Sequence, residues 1–143
     1  GMIIGSLIFW KAVKRLNPVS ILLFGIVMDG FTYSLLYFVN SKFMAILVLL
    51  IHGIGIPLIT VSRTTIIQMA APDKFRGRIF SMNYMAVMGT TAISVGLTGF
   101  ILEFISADLL FLCIGICAAA TVLFGLNSSM SKLTYNNSEE IKE

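Results

Sequence analysis

Three residues carry chemistry into otherwise apolar surroundings: Asp29, His52 and Arg63. A charged Asp at the centre of a membrane helix costs about 2.5–3.5 kcal/mol on insertion scales. Asp29 lies at the middle of the apolar stretch Val19–Val39. It must therefore face a bundle interior or a wet cavity, or else be neutral. A carboxyl held there is a plausible proton carrier. Its neighbours one turn away include Gly25, Thr32 and Tyr33, a small and polar face. A protonated Asp that only bonds a neighbouring helix is the other reading. Histidine as a residue type titrates near neutral pH, so His52 could sense or pass protons; a neutral, hydrogen-bonded histidine is the commoner case. Arg63 follows about eleven residues later, on nearly the same side of a helix and about 16 Å away. Counted from Lys42, it falls close to the end of its span. There it can snorkel to the surface or pair with an acidic group on another helix.

These residues need helices to hold them in a membrane. Of the 143 residues, 57% are hydrophobic and 12% are charged, about half the charge an ordinary soluble domain carries. The apolar content excludes a disordered chain. The expected class is an all-α polytopic membrane protein. A bilayer core needs about 20 helical residues, and four segments reach that length: Val19–Val39, Phe43 to about Ala71, Ile79–Leu102 and Leu109–Leu126. Gly1–Trp10 is apolar but spans about half a bilayer, which suggests a chain that starts inside a larger protein; it lacks the basic leader and small-residue cleavage site expected of a signal peptide. The expected division is a membrane bundle over 1–126 and a polar tail over 127–143.

The charge sits between the spans. Lys11, Lys14 and Arg15 follow the half-span; Lys74, Arg76 and Arg78 separate the second and third full spans; Glu103 and Asp108 separate the third and fourth. By the positive-inside rule the loops at 11–18 and 72–78 face the cytoplasm, and the turns at 40–42 and 103–108 face outward. The tail is then cytoplasmic, and Asn127 and Asn136 match the glycosylation pattern by chance. Lys74, Arg76 and Arg78 can also meet anionic headgroups, and Asp73 can cap the helix that follows.

Pro18 and Pro72 mark helix boundaries. Pro57 falls inside the second full span, where it removes a backbone hydrogen bond near Gly53. His52–Pro57 is thus a locally weakened stretch, a hinge or a static kink. The third full span is rich in small residues, Ala86, Gly89, Ala92, Gly96 and Gly99, which suit close helix packing. Cys113 and Cys117 share a helix face and read as packing, as do the eight methionines. No nucleotide-binding loop, zinc pattern or nucleophile–base pair points to an enzyme, a cofactor or a metal.

Gly53-Ile-Gly-Ile-Pro57, Arg63, Gln68 and the run Ala71–Ser81 resemble the major facilitator superfamily, in its macrolide-efflux and siderophore-export branch. In that branch a Pro, one or two acidic or polar residues and an Arg-Gly-Arg-Val-like run join the tenth and eleventh helices. Pro72, Asp73, Arg76, Gly77, Arg78 and Ser81 match, as do Gly89, Gly96 and Gly99 in the next helix. The resemblance implies that the half-span is the end of the eighth helix and the full spans are the ninth to twelfth. The seventh helix and the N-terminal half would then be missing from the chain. In the loop after the half-span, Arg15 matches the family's Arg, and Gly5 is placed at a Gly before it. Lys14 stands where an Asp would be and Asn17 where a Gly would be, a departure from the family's charged gate. The resemblance further implies alternating access by a proton-coupled exporter of an amphipathic small molecule, drug or siderophore-like, in the cell membrane. Its partners would be lipid, the missing helices, the solute and protons, with no nucleic acid. A small membrane interaction protein or a truncated transporter product is the alternative.

Overall fold

The computed structural model describes residues 1–13 and 16–127. The readings at Lys14, Arg15 and the tail beyond Asn127 lie outside them. Helix α1 (Met2–Ala12) is the short apolar element. Helices α2 (Pro18–Leu36), α3 (Lys42–Ala70), α4 (Arg76–Ile101) and α5 (Ala107–Asn127) follow, each long and apolar enough to cross a membrane. The described residues contain no strand.

The helix ends follow local chemistry. Asn17 caps α2, its Oδ1 accepting from Val19 N–H at 2.9 Å, and Pro18 takes the first turn, where its missing N–H costs nothing. At the other end the apolar run continues to Val39, but α2 stops at Leu36. Beyond it the chain tightens: Phe38 N–H donates to Leu35 C=O at 3.0 Å and Val39 N–H to Leu36 C=O at 3.3 Å. Pro72 forces Ala71 into an extended conformation, which ends α3. A single 3-10 turn, Asp73–Phe75, leads the chain into α4. That helix starts at Arg76, so Arg76, Gly77 and Arg78 form its first turn instead of a loop. Helix α3 runs without interruption through Pro57, which is buried.

Helix α2 packs between α3 and α5, while α1 lies along α3. Phe9, Ile21 and Leu58, from α1, α2 and α3, form the apolar core, with Ala12, Val13 and Met28 against it. Glycines set the distance between helices. A Cβ on Gly25 would sit 3.1 Å from Leu58 Cβ and 2.9 Å from Ile59 Cγ1. One on Gly30 would lie 2.9 Å from Gly115 C=O, and one on Gly115 would run into Ser34 Oγ. Thus α2 meets α3 and α5 almost backbone to backbone, the approach that small residues allow between membrane helices.

Helix α4 is different. None of its residues is buried, and nothing lies within 4 Å of a Cβ placed on Gly77, Gly89, Gly96 or Gly99. Its middle carries an open groove of about 460 Å³ lined by Ala86, Val87, Thr90, Thr91, Ser94 and Val95.

Candidate functional site

The close approach of α2 and α3 brings their ionisable residues together. Gly25 precedes Asp29 by about one turn, and Gly55 lies about one turn after His52 on the facing helix. A Cβ on Gly55 would be 3.7 Å from Gly25 C=O and 3.9 Å from Asp29 N. With the backbones that near, Asp29 Oδ1 and His52 Nδ1 reach 3.2 Å. Both side chains are mostly shielded, at 24% and 17% exposure.

Thr32 joins them. Its hydroxyl lies 2.8 Å from Asp29 C=O and 3.1 Å from His52 Nδ1. A hydroxyl has one proton to give. Thr32 spends it on the Asp29 carbonyl, a helical back-bond. With Asp29 ionised, His52 Nδ1–H then serves both the carboxylate and the hydroxyl oxygen. In the reverse pattern, a protonated Asp29 donates to a bare Nδ1. The pair can therefore hold its shared proton on either partner, and the Thr32 oxygen accepts from the imidazole only while that proton is on Nδ1.

Aromatic rings hold the histidine from the other side. The Tyr33 edge meets the His52 ring at 4.8 Å between centroids and 70° between planes. Tyr33 also stacks on Phe111 of α5 at 6.0 Å. Three helices thus contribute to one cluster: Asp29, Thr32 and Tyr33 from α2, His52 from α3 and Phe111 from α5.

Arg63 is not part of this cluster. It lies further along α3, where its Nε is buried without a hydrogen-bond partner, as is Ser62 Oγ beside it. At the corner between α3 and α4, Asp73 does not cap α4, whose first turn has no side-chain cap. Its carboxylate pairs with Arg76 Nη2 at 2.6 Å instead. The spacing explains this: in a 3-10 turn residues three apart are eclipsed, so Asp73 and Arg76 face one another. Arg76 Nη2 also reaches Gln68 C=O at 3.4 Å, and Lys74 Nζ lies 5.7 Å from the Phe75 ring centroid. Pro72 and Gly77 complete the corner, and Arg78 follows within α4. Pro57 sits in α3 between His52 and Arg63. Gly89, Gly96 and Gly99 meet no described residue.

Thr32 and Tyr33 were visible from the sequence as neighbours of Asp29, but the partner of Asp29 was not. Phe111 carried no signal, because one Phe among eleven is not distinguished by type. Ser62 gave none either; its burial is a property of the assembled helices. Among the described residues no group of three or more His, Cys, Asp or Glu could hold a metal.

No curated protein and no solved structure matches the chain. The family model described as Major Facilitator Superfamily matches residues 1–140. That match covers almost the whole sequence, and it accords with four helices of spanning length. The chain belongs to the Major Facilitator Superfamily.

Proposed function

We propose that this chain is part of a proton-coupled exporter of an amphipathic small molecule, with Asp29 and His52 as the coupling pair. Membership of the family supports a transporter of the major-facilitator type. The observation that carries the finer reading is the 3.2 Å contact between Asp29 Oδ1 and His52 Nδ1. It lies inside two helices that each have spanning length. Ionisable residues at such depth are expensive and mark substrate or proton pathways.

In this reading the proton resides on the pair in one state and leaves it in the other. Loss of the shared proton weakens the tie between α2 and α3, and its return restores it. A site at the contact of two helices suits alternating access, in which helix groups rock around a midplane site. The basic connection at 72–78 supports a corner on the cytoplasmic side of the cell membrane, by the positive-inside rule. A drug or siderophore-like solute follows from the resemblance of Pro72–Ser81 to the exporter branch.

The test is Asp29→Asn in everted vesicles from cells that express the complete reading frame, with solute-dependent proton movement as the readout. Asparagine keeps the shape and cannot exchange a proton, so coupled efflux should fall more than tenfold. Efflux at the wild-type rate would remove Asp29 from the mechanism.

A further inference from the structure

Arg63 poses a charge problem that the Asp29–His52 cluster does not address. Four acidic residues are described: Asp29, Asp73, Glu103 and Asp108. Asp29 contacts His52 and Asp73 pairs with Arg76. Glu103 and Asp108 flank the turn between α4 and α5, at the opposite end of α4 from the α3 corner. None of the four forms an ion pair with Arg63 among the described residues. The guanidinium nevertheless projects from a spanning helix, about 10 Å by helix rise before its last residue, Ala70.

A second polar group beside it lacks a partner too. Ser62 is fully buried, at 0% exposure, and its Oγ makes no hydrogen bond. Other hydroxyls of this helix return theirs to the preceding turn: Thr64 donates to Thr60 C=O at 2.8 Å and Thr65 to Val61 C=O at 2.9 Å. Ser62 does not. Burying a polar group without a partner is costly, and such groups in native proteins call for an explanation. The neighbouring Arg63 has one such atom, Nε, on a cationic side chain that is otherwise half-buried.

We propose that Arg63 forms a receptor for an oxyanion, a carboxylate or phosphate group supplied from outside the described residues. A guanidinium presents N–H donors in a planar fork that matches the paired oxygens of such groups. Its charge neutralises theirs. The oxyanion belongs either to a solute or to a lipid headgroup. The site is independent of proton exchange at Asp29, so a failure of that coupling leaves it standing.

The experiment measures binding and not transport. The full chain is purified in phospholipid-free maltoside detergent and dialysed against labelled benzoate and labelled inorganic phosphate. Wild type is compared with Arg63→Gln and with Arg63→Met, an apolar replacement that suits a membrane helix should the glutamine variant fail to fold. Helix content by circular dichroism establishes that each variant is folded. In parallel, native mass spectrometry counts phosphatidylglycerol retained after extraction from vesicles of that lipid. Binding of either soluble anion by wild type, at least tenfold weaker in the folded variants, supports the proposal and identifies a solute group. Retention of phosphatidylglycerol that depends on Arg63, with no soluble anion bound, supports it and identifies a headgroup. If wild type binds none of the three, or binds them equally when Arg63 is replaced, the proposal is overturned.

Discussion

Helices α2 and α4 are both apolar, both rich in glycine and hydroxyl residues, and differ in what those residues meet. On α2, Gly25 and Gly30 are each pressed against a neighbouring helix, and Thr32 is buried at 1% exposure with its hydroxyl engaged twice. On α4, Gly89, Gly96 and Gly99 face open space, and the Thr91 hydroxyl only returns to Val87 C=O at 2.8 Å. Composition alone does not separate the two. A small or polar residue in a membrane helix creates a requirement, and only the partner shows whether that requirement is backbone approach, hydrogen bonding or a wall facing a cavity.

The largest expected effect tests this contrast directly. Gly115→Leu drives a side chain into Ser34 and the Gly30 carbonyl, and overpacking of this kind costs about 1–3 kcal/mol or more. The same exchange at Gly96 should cost less than about 0.5 kcal/mol, as open positions do. Thermal unfolding in detergent, followed by circular dichroism, gives both values; equal losses would mean that α4 is as tightly covered as α2. A smaller difference is expected for hydroxyls. Thr32→Val removes the group shared by Asp29 and His52 and should cost about 1 kcal/mol. Thr91→Val should be near neutral in the same denaturation assay. The smallest effect belongs to the corner. Arg76 and Asp73 are exposed, at 45% and 89%, and exposed pairs contribute about 0–1 kcal/mol. A double-mutant cycle of Arg76→Gln with Asp73→Asn should fall in that range; a larger coupling would show that the corner, and not helix packing, sets the direction of α4.

Much of the architecture is legible in the sequence, because span length and charge placement are properties of consecutive residues. The four long segments, the short first helix and the stops before Pro18 and Pro72 all follow from that. The ends shift where backbone detail takes over, as at Val39, which lies beyond α2 in a tighter turn, and at Arg76, which lies within α4. The site is less legible. Asp29 is conspicuous by depth and His52 by type, yet their contact depends on Gly25 and Gly55 lying opposite one another across two helices. Nothing local to either segment encodes that register. Asp73 shows the same limit on a smaller scale. An acidic residue ahead of a helix suggests a cap, but the 3-10 turn aligns it with Arg76 first.

The glycines on either flank of Asp29 have a kinematic consequence. Gly25 abuts α3 and Gly30 abuts α5, so rolling α2 about its own axis would swing a bulkier side chain into one contact or the other. The carboxylate therefore has a fixed bearing within the membrane. Its environment can change only when whole helices tilt together, or when the charge itself is gained or lost.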